Sequence, residues 1–393
     1  MFWALDPALA MLNHGSFGAC PLPVLQLQQR LRSELERRPV EFLTRHMTPL
    51  LDESRESLAR LIGADPSDLV FVPNVTAAVN SVLRSRRFRP GDELLVTDHD
   101  YNACRNVARY VAQREGLRVV VVRIPAPIES PAQIVDAVLR SVTDRTGLAV
   151  LDHVSSPTAV LFPIAELVKR LAALGIDTLV DGAHAPGMVP LDIAGFGAAY
   201  YGGNCHKWLC APKAAGFLHV RRDRQEGLQP CIISHGYNTP RPGRSPFHDA
   251  FDWPGTLDPT PWLCVGEAIR FLGTLFPGGI DGLMRRNHKL AVWARRLLCG
   301  RLGLSAVCPE EMLGSMAALG LPDDLGPDFL DEPTALPGTG HRLNLVLRDR
   351  FGIELPLYYW PAPPKKLLRI SVQAYNQPQQ FEALAAALEA ILP

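Results

Sequence analysis

Among 40 Lys and Arg side chains only six are lysines: Lys169, Lys207, Lys213, Lys289, Lys365 and Lys366. Arginine keeps its proton and cannot condense with an aldehyde. Lysine can, once desolvation leaves part of it as the neutral amine. Lys207 stands in Tyr200-Tyr201-Gly202-Gly203-Asn204-Cys205-His206-Lys207-Trp208, between an imidazole and an indole, after two glycines and an apolar approach strand. Alone, that pattern equally fits a lysine in a strand–loop connection with its head in water. Asp181-Gly182-Ala183-His184, which closes the apolar run Thr178-Leu179-Val180, shifts the weighing. A carboxylate at the end of a buried strand needs a cationic partner.

A pyridinium ring is such a partner. Asp181 and Lys207 together offer what pyridoxal 5′-phosphate requires, an acid for its ring nitrogen and an amine for its aldehyde. On these residues the sequence resembles the class V aminotransferase family, of the PLP-dependent aspartate-aminotransferase fold, from Leu12 to Asn376. Ser234-His235-Gly236-Tyr237, Gly255-Thr256-Leu257-Asp258-Pro259-Thr260 and Leu368-Arg369-Ile370-Ser371 are similar to the isopenicillin N epimerase-like branch. The resemblance implies that Lys207 forms the Schiff base, with Asp181, His184 and His206 around the cofactor. It implies that an N-terminal segment brings His14, Gly15 and Ser16 near substrate. Tyr101 would stack on the cofactor ring, with His99 as the alternative. His153 or Ser155 would lie beside the cofactor's phenolic oxygen or the substrate. Arg369 would hold a substrate α-carboxylate, for which its planar fork is suited; a structural Arg–Asp pair is the alternative. Thr256 would reach the phosphate of a neighbouring subunit, making a homodimer.

The elements that would position these residues follow from pattern. Residues 68–72 read as a strand, Asn74-Val75-Thr76 as a turn and 77–86 as a helix. A helix N-terminus offers free N–H groups to an anion. Plain N-capping by Asn74 or Thr76 is the competing reading; with the lysine region present, phosphate binding is preferred. Strands are expected at 93–97, 118–124 (buried on both faces), 147–152, 178–181, 198–201 and 216–221, with helices at 131–141 and 164–174. This alternation is that of an α/β domain with a mostly parallel sheet. Ligands of such sheets sit outside the carboxyl ends of the strands. Residues 97–101, 152–155 and 181–184 lie at such ends. Helices are also expected at 23–38, 49–62, 262–275 and 284–301. Residues 247–260 lack periodicity, and their aromatics Phe247, Phe251 and Trp253 argue against disorder. The arginine-and-proline loop 240–246 reads as solvated surface, or else as a substrate selector. A smaller C-terminal α/β domain is expected, with strands at 342–347, 353–358 and 367–372 and a helix at 379–392. The division is then 1–22 over the active site, 23–262 for the large domain and 263–393 for the small one.

Net charge is zero over 393 residues, which gives no footprint for nucleic acid or an anionic membrane. The longest apolar runs are too short for a membrane span, and no secretory signal is read at the N-terminus. Eight scattered cysteines form no CxxC pair, so neither a metal site nor a disulfide framework is expected, and the expected location is cytoplasmic. Three reactions at an amino-acid substrate remain open. The first is epimerisation or racemisation at Cα, with Tyr237, His235 or His14 as the second proton carrier. The second is C–S lysis by β-elimination. The third is transamination or decarboxylative condensation. Cysteine desulfuration is disfavoured, because residues 351–360 lack a cysteine before the Arg369 strand. A non-catalytic binding protein on the same scaffold would have lost Lys207 or Asp181, and both are present.

Overall fold

The computed structural model describes residues 2–323, 325 and 341–392. Its central sheet contains β1 (Leu69–Val72), β2 (Glu93–Thr97), β3 (Arg118–Val122), β4 (Thr146–Asp152), β5 (Thr178–Gly182), β6 (Tyr200–Asn204) and β7 (Gly216–Val220). Their spatial order is β1-β7-β6-β5-β4-β2-β3. β7 runs against both neighbours, and every other pairing is parallel. Short apolar strands of this kind are stable only when helices cover both faces. Residues of β1, β2, β5, β6 and β7 are accordingly buried throughout. β3 differs from the expectation for its valine run. It is an edge strand, and Val121 is 44% exposed. A run of valines suits an edge as well as an interior, because one face still packs.

A second sheet contains β8 (Ser305–Ala306), β9 (Met316–Leu321), β10 (Leu357–Tyr359) and β11 (Lys366–Ser371). Its order is β10-β11-β9-β8, antiparallel throughout. The long helix Gly279–Leu302 packs on β9 and on the last helix, Pro378–Glu389. Residues 342–347 do not form the expected strand. They belong to the helix Arg342–Phe351, which buries Leu343, Asn344 and Leu347 and ends at Gly352 with φ +64°. Residues 246–252 are also helical, capped by Ser245, whose side chain accepts from the His248 N–H. Helix Val265–Leu272 packs on Leu22–Arg37 and Met47–Ile62. We propose the three-part division 1–22, 23–262 and 263–393 as the domain plan, with the join crossing these helices.

The N-terminal segment touches both sheets' territory. Ala10–Met11 pairs in parallel with Ile353–Glu354. Ser371 N–H donates to Leu12 O, and Asn376 Nδ2 donates to Met11 O. No helix among the described residues is long and apolar enough to cross a membrane.

Candidate active site

β6 and β7 are joined by the turn that carries His206, Lys207 and Trp208. Glycine at 203 in β6 is required by packing, since a Cβ there would come within 2.3 Å of the Phe217 ring. Lys207 opens on a cavity of about 160 Å³ at the carboxyl ends of β4, β5 and β6. Its Nζ lies 3.1 Å from His184 Nε2, and Trp208 Nε1 donates to His184 Nδ1 at 3.3 Å. A neutral imidazole that accepts at Nδ1 carries its proton on Nε2. That proton points at the Lys207 nitrogen and favours the unprotonated amine there, because an ammonium would set donor against donor. The electrostatics agree. Burial, then the Arg369 charge, lowers Lys207 to about 8, against the pull of Asp181. Burial, then Lys207, holds His184 well below the usual imidazole range.

Asp181 is the penultimate residue of β5. Its Oδ1 accepts from the Ala183 N–H at 2.9 Å and its Oδ2 from the Cys104 thiol at 3.1 Å. The helix Val75–Ser85 starts at the same cavity. Here the N-capping reading holds for Asn74. Asn74 Oδ1 caps the helix by accepting from Ala77 N, and Asn204 Oδ1 takes the Val75 N–H at 3.0 Å. Asn74, Val75 and Thr76 line the cavity, as does His206. His206 Nδ1 is engaged with Ala215 O at 3.0 Å, and burial lowers this histidine to about 4.

At β4 the expectation is off by one residue. Asp152, Val154 and Ser156 line the lysine cavity, whereas His153 and Ser155 do not. Successive side chains of an extended chain leave opposite faces. His153 therefore bonds the Tyr201 hydroxyl at 2.7 Å and lines a separate cavity of about 710 Å³ behind the sheet. Ser155 Oγ donates to His99 O at 3.0 Å. Of the two stacking candidates, Tyr101 lines the lysine cavity and is 42% exposed. His99 is buried behind it, edge-on to Trp360 and bonded to Thr158 Oγ1 at 2.7 Å.

Arg369 is fully buried in β11, and among the described residues no carboxylate pairs with it. Its Nη1 donates to Ser156 O at 2.6 Å, its Nη2 reaches Ser16 Oγ at 3.2 Å, and its Nε has no partner. Tyr358 covers the guanidinium at 5.1 Å. Among the described residues the structural Arg–Asp pair is thus absent; the two Nη atoms are taken by Ser156, Asn13 and Ser16, and of these Ser16 and Ser156 lie on the cavity wall. Gly15 N–H donates to Ser371 Oγ at 3.2 Å, and a Cβ at Gly15 would approach Arg369 Nη2 to 3.3 Å.

His14 does not face substrate space as expected. Its Nε2 lies 2.9 Å from Lys207 O and its Nδ1 2.9 Å from the Tyr375 hydroxyl, so both ring nitrogens are engaged. It braces the lysine turn, while Ser16 and Phe17 reach the cavity. Burial lowers His14 to about 3. Tyr237, expected at the site, is 67% exposed beside the exposed Ile232 and Ile233, and it is not on the wall of its own chain's cavity. Thr256 is likewise exposed. In the loop 240–246, Pro240, Pro242, Gly243 and Pro246 are exposed, as solvated surface would be, while Arg241 pairs with Asp249 and Arg244 with Asp52. Sequence reasoning missed Asp152, Ser156, Asn204, Phe17 and Cys104. Asn204 could have been found as a polar end to β6.

The Aminotransferase class-V family profile matches residues 24–384. The chain belongs to the class-V aminotransferase family. It is similar to isopenicillin N epimerase of Streptomyces clavuligerus, 38% identical with 98% of this chain and 96% of that protein covered. A probable chloroplastic L-cysteine desulfhydrase of Arabidopsis thaliana is 33% identical, over 98% of this chain and 84% of that protein. Among solved structures, a cystine C–S lyase in complex with cysteine persulfide superposes with a TM-score of 0.81 at 19% identity, covering 98% of each chain, which establishes the fold. As a class-V aminotransferase the protein is an enzyme, and its cofactor is pyridoxal 5′-phosphate. The residues present fit that group. An amine whose proton is loosened by burial, a carboxylate near a strand end and a helix N-terminus meet at one cavity, beside a buried guanidinium that has no anion among the described residues.

Proposed function

We propose that this enzyme acts at Cα of an amino acid as an epimerase or racemase of the isopenicillin N epimerase type. The near-full-length identity of 38% to such an enzyme is the observation that carries the reading. Bound pyridoxal phosphate supplies an aldehyde for an amine and a ring that takes up the electrons left at Cα. Lys207 would hold the aldehyde end of the cofactor and would carry the proton at Cα. His184 favours the basic form of the lysine nitrogen. Asp181 would serve the ring nitrogen, Tyr101 the ring face, and Thr76 with His206 the phosphate end. Arg369 clamps the α-carboxylate, steadied by Ser16 and Ser156.

The enzyme is proposed to work as a homodimer, with the partner subunit's Thr256 added to the phosphate contacts. Tyr237 and His235 are kept as the candidates for the second proton carrier, since both nitrogens of His14 are occupied. Its proposed place is a reducing cytoplasm, consistent with eight free cysteines.

A second reading is supported by the desulfhydrase relative. It is β-elimination from a cysteine conjugate, which needs Lys207 and a leaving group. Desulfuration stays disfavoured, because no cysteine lies on the described cavity wall. The deciding experiment incubates holoenzyme in D₂O with ordinary L-amino acids and with cysteine conjugates. Deuterium at Cα with inversion and no pyruvate is the expected result. Pyruvate with thiol release would establish the lyase, and keto acid formation without either would establish a transaminase.

A further inference from the structure

Three carboxyl groups gather at the ends of neighbouring strands, and two of them, Asp152 and Asp181, line the cavity. Asp100 follows β2, Asp152 ends β4, and Asp181 is the penultimate residue of β5. Asp152 and Asp181 are register partners on adjacent parallel strands, so their side chains leave the same face. All three are at most 4% exposed. Asp181 has two donors, the Ala183 N–H and the Cys104 thiol. Asp100 has the Thr97 hydroxyl at 2.8 Å on Oδ1 and nothing on Oδ2. Asp152 lines the cavity, and its buried Oδ2 has no partner at all. Among the described residues no ion pair joins Asp152 to a cation, and no set of three His, Cys, Asp or Glu is arranged to hold a metal.

Ionised carboxyls cannot stand side by side without donors or cations between them. Asp181 has the donors and Asp152 does not. Asp100 and Asp181 oppose ionisation of Asp152, while Arg105 and Lys207 favour it only as the weaker influences. Burial, then Asp100, then Asp181, pushes Asp152 well above the usual carboxylate range.

We propose that Asp152 faces the cofactor as a neutral carboxylic acid that donates a hydrogen bond into the cavity, leaving Asp181 alone to meet the ring nitrogen with its charge. This deepens the reading above and rests on pyridoxal phosphate occupying this cavity. A carboxyl kept neutral so that it can donate is a known device of buried sites. The consequence extends to the protein without cofactor. A carboxyl whose pKa folding raises binds more protons folded than unfolded, so stability falls as pH rises above about 4.

The test compares wild type with Asp152→Asn, which is neutral and still donates, and Asp152→Val, which cannot donate. Cofactor affinity is read by titrating apo-protein with pyridoxal phosphate and following the visible band, and apo-protein melting is read against pH. Asp152→Asn is expected to bind within about threefold of wild type and Asp152→Val about tenfold or more weakly, the effect of one buried hydrogen bond. The melting temperature of apo Asp152→Asn should gain on wild type from about pH 5 to about pH 8. Folded Asp152→Asn that binds about tenfold more weakly would mean that a charge was needed, and Asp152→Val that matches wild type would mean that nothing was donated. Either overturns the proposal, as does a melting difference that does not change with pH. Wild type that takes up no cofactor would instead remove the reading on which the proposal rests.

Discussion

Two places in the molecule bury charge, and they treat it in opposite ways. Where Met47–Ile62 meets Pro246–Asp252, the charges close on one another. Arg55 reaches Asp52 and also Asp252 at 2.6 Å, Arg244 reaches Asp52 at 2.6 Å and Asp252, and Arg241 reaches Asp249 at 2.6 Å. At the lysine cavity they do not close. Arg369 has no anion among the described residues, Asp152 has no donor, and Lys207 faces an imidazole instead of a carboxylate. A closed set of buried charges holds a fold together, because removing one member strands another. An open set stores bonding capacity for something that arrives later.

Removing the amine should produce the largest effect. Lys207→Ala is expected to lower turnover more than about thousandfold while leaving the melting temperature of the apo-protein unchanged or higher. Turnover within tenfold of wild type would end the case for an open site built around this residue. The converse change is Arg55→Ala. It leaves Asp252 to Arg244 and Arg241 and should cost about 1.5–3 kcal/mol in urea unfolding, the loss of hydrogen bonds between charged groups, with kcat/KM of the folded fraction retained. If activity fell and stability held, the two regions would have been confused with each other.

Arg369→Lys keeps the charge but loses the fork, so KM for a carboxylate-bearing substrate should rise about tenfold to a hundredfold with little change in unfolding. A fall in stability with KM unmoved would make Arg369 a structural residue after all. The lowered lysine predicts a pH dependence. Lys207 loses its proton near 8, so the rate at which apo-protein takes up the aldehyde should climb with pH through about 8 and then level off. A rate that falls over that range would contradict it. The smallest effect concerns the indole. Trp208→Phe frees His184 Nδ1 to carry the proton, so Nε2 could accept from an ammonium. The uptake midpoint should then move up by less than about one pH unit.

Residues that must be unusual were visible in the sequence. Lysine is rare here, and an aspartate after a buried apolar run is costly, so Lys207, Asp181 and Arg369 stood out by type. Orientation was not visible. β4 is an unbroken apolar run with no alternation to set its face, which is why His153 and Ser155 were chosen over Asp152 and Ser156. The segment 342–347 misled in the opposite way. Its leucines at 343, 345 and 347 alternate as a strand's would, yet only Leu343 and Leu347 are buried, one helical turn apart. Ser245-Pro246 was a legible helix start, overshadowed by the aromatics and arginines around it. Exposed Tyr237 and Thr256 carry no pattern that says which chain they serve.

The segment around His14 has a consequence for when the enzyme can come into being. Its backbone bonds to residues 352–354 and 371, and its imidazole to the Lys207 carbonyl and Tyr375. A growing chain folds its early parts first, but this segment has nowhere to settle until residues 352–375 have been made. The lysine turn therefore gains its brace only once Tyr375 is in place, and a chain stopped before that point cannot hold its reactive amine in position.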